Sequence, residues 1–261
     1  MRSLDIASTG MQAQQTNVDV ISNNLANMTT TGFKRRRAEF QDLIYQDLRR
    51  VGSNTSDTGT IVPAGAQIGL GVRTAAIYRI DEQGTLQQTS NSLDLAVQGN
   101  GYFQVTLPSG DTAYTRDGTF GMSPNGVIVT ADGYPVVPGI TIPPNAENIA
   151  ISPAGEVQVT IAGQTAPQTA GTLQLATFPN DAGLDAQGDN LFLQSAASGA
   201  PVTGVPNAPG FGSVMQGYVE GSNVNVVTEI TNLISAQRAY EMNSRVITTA
   251  DQMLSTLTNL R

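Results

Sequence analysis

The sequence predicts a mixed α and β chain. An antiparallel all-β central domain is inserted between long N- and C-terminal α-helices that pair as a coiled-coil-like bundle. Three observations predict it. Near the N-terminus Leu4, Ala7, Met11, Gln14, Val18, Ile21, Leu25 and Met28 follow a 3-4 spacing, the seam of an amphipathic helix. Near the C-terminus Val226, Leu233, Tyr240, Ile247 and Leu254 recur every seven residues, with Ala236, Asn243, Ala250 and Leu257 between them. From Gly32 to Gly221 lie all but one of the 27 Gly and all 13 Pro, and from Val72 the hydrophobic period changes to two. A seam at each end of a body of different character points to assembly more than catalysis.

Taken in order, residues 4 to about 29 read as one helix, roughly 39 Å long at 1.5 Å per residue, locally weakened by Gly10. Thr29-Thr30-Thr31-Gly32 ends it, with Gly32 suited to a C-terminal cap. Phe33, Arg37, Phe40, Ile44 and Leu48 lie at helical spacing and predict a second short helix over Phe33 to Arg50. Arg49 to Gly71 is polar and reads as extended or loop. Alternation then begins at Val72, Thr74, Ala76, Tyr78 and Ile80. It returns at Leu93, Leu95, Val97, at Phe103, Val105, Leu107, at Val157, Val159, Ile161 and at Leu173, Leu175, Thr177. Turn pairs such as Asn100-Gly101, Asp117-Gly118, Asn125-Gly126 and Asp132-Gly133 separate these strands, as an antiparallel meander requires. Helix resumes between Asn223 and Thr228, with Asn223 or Asn225 as cap and Glu229 favoured in the first turn. Three regions follow: a terminal helical domain (1–30 with 223–261), a connecting segment (31–71 with 205–222) and a β domain (72–204).

Composition narrows the function. Hydrophobic content is 39% without Trp, below the usual globular share, so a thin core is expected. Net charge is -8, unevenly spread: residues 1–50 carry +2 and residues 51–221 carry -10. An acidic body argues against nucleic acid, whose binding rests on phosphate neutralisation. The chain has neither Cys nor His, which removes thiolate chemistry, disulfides and the commonest general base and metal ligand. No apolar run is long enough for a membrane span, and no cleavable signal is evident.

Candidate sites are few. Lys34-Arg35-Arg36-Arg37 is the one basic cluster and reads as a solvated helix face or a structural contact to acidic neighbours. Asp181, Asp185 and Asp189 lack the 1-3-5 spacing of a calcium loop. The glycine pairs Gly69-x-Gly71 and Gly99-x-Gly101 lack the third Gly of a dinucleotide loop. Tyr114, Arg116 and Asp117 form the best polar group for a rival reading, an autonomous carbohydrate-binding or enzymatic β protein with helical dimerisation ends. A turn with local ion pairing accounts for them more simply. No catalytic residue, cofactor site or metal site is expected.

Ser22-Asn23-Asn24-Leu25-Ala26-Asn27, followed by Thr31-Gly32-Phe33-Lys34, resembles the N-terminal signature of the bacterial flagellar rod and hook proteins. Glu220-Gly221-Ser222-Asn223-Val224-Asn225-Val226 and Gln237-Arg238-Ala239-Tyr240-Glu241 resemble the matching C-terminal signature. Gly99-Asn100-Gly101-Tyr102-Phe103-Gln104-Val105 and Tyr114-Thr115-Arg116-Asp117-Gly118-Thr119-Phe120 are similar to that family's β domain. The resemblance spans essentially the whole chain in the right order. It marks Asn23, Asn24, Leu25, Asn27, Gly32, Phe33, Asn223, Val224, Arg238 and Tyr240 as motif positions. Arg2-Ser3-Leu4, Ala13-Gln14-Gln15-Thr16-Asn17, Phe33-Lys34-Arg35 and Gln67-Ile68-Gly69-Leu70-Gly71-Val72 are most similar to the distal-rod branch. Proximal-rod and hook-type branches are the neighbouring alternatives. Val51 to Gly65 matches in length and texture rather than residue by residue.

The resemblance implies a passive structural subunit that polymerises with itself into a helical, tubular drive shaft transmitting torque from motor to hook. It implies terminal helices on the inner wall and a β domain outside. Implied partners are proximal rod proteins, hook protein, P-ring and L-ring proteins and the flagellar type III export apparatus, with no nucleic acid and no membrane insertion. The implied location is the basal body from periplasm to outer membrane, reached without a cleaved signal. The expected assembly interface is Leu4, Met11, Val18, Ile21, Leu25 and Met28 against Leu233, Tyr240, Ile247, Leu254 and Leu257, within or between chains. Each fully buried large side chain contributes about 1.5–3 kcal/mol. Gln14, Asn17 and Asn243 beside the seams are expected to fix register.

Overall fold

A computed structural model describes residues 2–49, 65–162 and 166–259, except the side chains of Leu257 and Asn259. The expectation of a loop over residues 50–64 lies outside the described residues. Two helices flank a series of antiparallel sheets, and the chain divides into two compact units.

The first unit comprises the described parts of Met1–Ala26, Arg36–Tyr78 and Asn225–Arg261. Its helices are α1 (Arg2–Ala26) and α2 (Val226–Asn259). Asn225 caps α2: its Oδ1 accepts the Thr228 N–H at 3.2 Å, satisfying one of the free donors of the first turn. The two helices pack antiparallel. Asn24, near the end of α1, donates to Glu229 in the first turns of α2, while Gly10 faces Asn243 further along. A Cβ on Gly10 would stand 2.8 Å from Asn243 Nδ2, so the helix-weakening glycine gives the Asn243 side chain its room. The buried positions are small or few: Ala7, Ala13, Val20, Ile21 and Asn24 on α1, and Glu229, Ala236 and Ala250 on α2.

The same unit holds β1 (Arg36–Asp42), β2 (Tyr45–Arg49), β3 (Ala66–Gly69) and β4 (Val72–Arg79). β1 pairs with β4 and β2 with β3. These strands correct the expected second helix over Phe33 to Arg50. The reason is tertiary. Asn24 accepts the Arg36 N–H and donates to the Arg36 carbonyl, both at 2.8 Å, so Arg36 is held as if by a neighbouring strand and its N–H is lost to any helix. Ala38 and Phe40 are then half-buried while Arg37, Glu39 and Gln41 are exposed, the alternation of a strand. Gly32 is likewise no helix cap, because α1 ends at Ala26.

The second unit spans Asn27–Arg35 and Arg79–Val224. Its strands are β5 (Leu86–Gln88), β6 (Leu95–Gln98), β7 (Tyr102–Thr106), β8 (Thr112–Thr115), β9 (Gly121–Met122), β10 (Ile128–Val129), β11 (Ala146–Ile151) and β12 (Glu156–Ile161). They continue with β13 (Gln168–Thr172), β14 (Leu175–Thr177), β15 (Asp185–Gly188), β16 (Leu191–Leu193), β17 (Val202–Gly204), β18 (Ser213–Gln216) and β19 (Tyr218–Glu220). The main sheet has the order β15-β16-β8-β7-β14-β17. A second sheet is β11-β12-β13, and β18 pairs with β6, β19 with β5 and β10 with β9.

The main sheet is covered on both faces. Phe103, Val105, Ala113, Leu175 and Leu191 join a large core with Leu95, Val97, Ile128, Val157 and Leu173. Their immediate neighbours Tyr102, Tyr114, Ala176 and Phe192 point the other way and form a second core with Phe178 and Leu184, as the two-residue period dictates. Edge-to-face contacts join Tyr102 and Tyr114 to Phe178, with centroids 6.0 and 4.8 Å apart.

Candidate assembly site

The helical hairpin places the expected interface residues unevenly. Ile21 is buried, Leu4, Met11, Val18, Leu25, Leu233, Ile247 and Leu254 are half-buried, and Met28 and Tyr240 are exposed. The Leu257 side chain lies outside the described residues. Gln14, Asn17 and Asn243 are half-buried beside the seam. A groove of about 370 Å³ opens beside Tyr240, lined by Gln15, Val18, Gln237, Tyr240 and Glu241. Away from the buried line of α2, Val227, Ile230, Ile234, Met242, Val246 and Met253 stand in solvent, Val227 at 75%. Sequence reading passed over this second stripe because the heptad seam accounted for the helix; its residues recur at helical spacing too. On β2, β3 and the turn before β2, Ile44, Tyr45, Leu48 and Ile68 are also exposed.

Three motif residues, Asn24, Asn223 and Gly32, sit at two clamps and one ion cluster. In the first unit Asn24 is only 1% exposed and joins three segments: α1, Arg36 of β1, and Glu229 of α2 at 3.3 Å. Asn23 and Arg238 are exposed on their helices. In the second unit Asn223 Oδ1 accepts the Arg35 N–H at 2.7 Å, and its Nδ2 donates to the Ile80 and Glu82 carbonyls at 2.9 and 3.0 Å. Asn27, Phe33 and Val224 are half-buried there.

Of the two readings of the basic run, a structural contact to an acidic residue describes Lys34, in an ion cluster whose members sequence does not name. Lys34 Nζ donates to Glu220 Oε1 at 2.5 Å and to the Glu82 carbonyl at 2.8 Å. Arg116 Nη1 donates to Glu220 Oε2 at 3.2 Å, and Nη2 to the Gly99 carbonyl at 2.7 Å. Gly84 N–H donates to Glu220 Oε1 at 2.9 Å. Glu220 is fully buried. Burial lowers the Lys34 pKa, and the Glu220 charge beside it works in the opposite direction. Gly32 fits here through its positive φ of 68°; an added Cβ would lie 2.7 Å from the Asp117 nitrogen. Arg116 is therefore no partner in a local turn. Asp117 makes that turn alone, accepting from the Thr119 N–H and hydroxyl at 3.0 and 2.7 Å, while Arg116 reaches Glu220 across the unit. The three motif stretches that carry Lys34, Arg116 and Glu220 were each legible; their convergence needs the fold.

All four basic residues of the second unit are thus engaged: Lys34 and Arg116 with Glu220, Arg35 with Glu82 and Arg79 with Asp81. Arg79 also stacks over the Phe192 ring, 4.1 Å from its centroid. Glu82, Asp111, Asp132, Glu147, Asp185 and Asp189 are exposed. The basic run splits accordingly. Lys34 is buried, Arg35 is half-buried, and Arg36 and Arg37 are exposed on a strand rather than on a helix face. Among the described residues no group of three His, Cys, Asp or Glu could hold a metal ion, and no helix is long and apolar enough to cross a membrane.

Comparison with known proteins gives the family. Residues 4–34 match the family model for flagella basal body rod protein, residues 96–159 that for the flagellar hook protein FlgE/F/G D1 domain, and residues 215–260 that for the flagellar basal body rod FlgEFG protein C-terminal. The flagellar basal-body rod protein FlgG of Caulobacter vibrioides is 60% identical over 261 residues, covering 100% of both chains. Its namesake in Agrobacterium fabrum is 54% identical over 98% of this chain and 97% of its own. That of Bacillus subtilis is 39% identical over 100% and 99%. With the matched segments falling on α1, the β unit and α2, the chain belongs to the flagellar basal-body rod protein family and is a structural subunit of the flagellar basal body.

Proposed function

We propose that the chain is a distal-rod subunit, polymerising with itself into a helical tube that carries torque toward the hook. The observation that carries this reading is the uncovered stripe on α2, from Val227 through Ile234 and Val246 to Met253. A lone helical hairpin with small buried residues has little to hold it, and a neighbour's helix seated on that stripe would supply the missing burial at about 25 cal/mol per Å². The 3-4 spacing suits coiled-coil-like packing of α1 and α2, with Leu4, Met11, Val18, Ile21 and Leu25 toward Leu233, Ile247 and Leu254. Met28, Tyr240 and the groove beside Tyr240 remain for adjoining subunits. Repeating heterologous contacts of this kind build a filament.

On this reading the terminal helices line the tube and the β unit forms its outer wall. Its exposed carboxylates keep contacts with the P-ring and L-ring proteins weak, so that the shaft turns. Proximal rod proteins and hook protein adjoin its two ends, in the basal body between periplasm and outer membrane, after delivery by the flagellar type III export apparatus. The role is structural and needs no catalytic residue. Electron microscopy of the purified chain at high concentration tests it. Tubes are expected, and replacing Ile234 by Asp should abolish them. Discrete dimers at every concentration would overturn the proposal and favour a β protein with helical dimerisation ends.

A further inference from the structure

The second unit buries two cations around a single carboxylate. Among the described residues, Lys34 and Arg116 have Glu220 as their only ion-pair partner. Their other bonds go to the carbonyls of Glu82, Val97 and Gly99. The cluster abuts both cores: Val97 belongs to the large core, and the Arg116 guanidinium lies 5.2 Å from the Tyr102 ring centroid in the second. Glu220 also holds the segment before Lys34 through the main chain, since its carbonyl accepts the Gly32 N–H at 2.7 Å. It sits at the end of β19, the last strand of the unit. Without its carboxylate, closing the cores would strand two like charges out of water, and an unpaired buried charge is the least tolerated occupant of an interior.

We infer that Glu220 is a completion lock: the β unit closes only when its last strand delivers the carboxylate that ion-pairs with both Lys34 and Arg116. The cores bracketing residues 95–103 cannot dry out before residue 220 is in place. Because β19 is the last strand of the unit, a chain that ends before Glu220, or whose β19 is undocked, presents an open β unit. If the chain works in a load-bearing polymer, as proposed above, the lock keeps incomplete chains out of it. The lock itself belongs to the single chain and is read before any assembly occurs, so it stands or falls separately from the polymer.

Amide hydrogen exchange on the dilute full-length chain tests the lock. Glu220→Gln keeps the shape and the Gly84 bond but removes the charge. It should lower protection at least 100-fold across β7, β8 and β14 as well as β19. Adding Lys34→Met and Arg116→Met to Glu220→Gln removes the stranded cations and should return β7, β8 and β14 to within about tenfold of wild type. Loss confined to β5 and β19 in the single variant would overturn the lock in favour of a local staple. Failure of the triple variant to recover would overturn it as well, because the defect would then lie in packing and not in charge.

Discussion

α2 buries Ala236 and Ala250 against its own unit and leaves Ile230, Ile234, Val246 and Met253 in solvent, whereas β7 buries Phe103 and Val105 on one face and Tyr102 and Gln104 on the other. The difference is one of completeness. The β unit closes two cores of its own and pairs each of its cations. Among the described residues, the helical unit has apolar surface with no partner of its own. A subunit built this way keeps one part finished and another part waiting.

The contrast can be broken at its strongest point first. Phe103→Ala should cost the β unit about 3–5 kcal/mol, the usual penalty for emptying a large core site, measured by denaturant unfolding, while α1 and α2 keep their exchange behaviour. Gly32→Ala should cost the same unit about 1–3 kcal/mol, because a side chain at that positive φ is strained and its Cβ meets the backbone of Arg116 and Asp117. Asn24→Ala should cost the helical unit about 1–3 kcal/mol by leaving the Arg36 backbone groups without partners, with loss of protection at β1. At the other extreme, Ile234→Asp should change the monomer's stability by less than about 0.5 kcal/mol, as exposed sites do. A larger effect would mean that the stripe is already covered within the chain.

The smallest expected effect concerns pH. Burial, and then the Asp81 charge beside it, raises the Asp181 pKa above its ordinary 3.8. A raised carboxylate takes up its proton more readily folded than unfolded. Its ionised form therefore carries a penalty that is full above the folded pKa, eases as pH falls through it and is gone below the unfolded value. Asp181→Asn should raise the melting temperature slightly at neutral pH and lose that advantage in acid. An equal gain at pH 3 would point away from the charge.

The two units also differed in what could be read from their residues. Strand alternation at Leu95-Val97, Phe103-Val105 and Val157-Val159 named core positions directly, because a period of two leaves little ambiguity. Both terminal helices were legible from their seams, and the Asn225 cap was one of two candidates. Phe33 to Arg50 misled because helical spacing of Phe33, Phe40 and Ile44 was outweighed by one side chain, Asn24, bonding the Arg36 backbone from α1. Lys34 and Glu220 meet across an interval that no local pattern spans, so motif stretches marked the neighbourhood without revealing the charge balance. The two-sided cover of the main sheet was equally hidden, since it depends on which strands neighbour each other.

If the chain assembles as proposed, the helical unit is completed by neighbouring chains and the β unit is not. Amide hydrogen exchange on the dilute monomer and on the polymerised chain tests it most directly. Amides of α1 and α2 should exchange faster than those of β7, β8 and β14 in the monomer, and slow sharply on assembly. Helices protected as strongly as the β unit in the dilute monomer would contradict it.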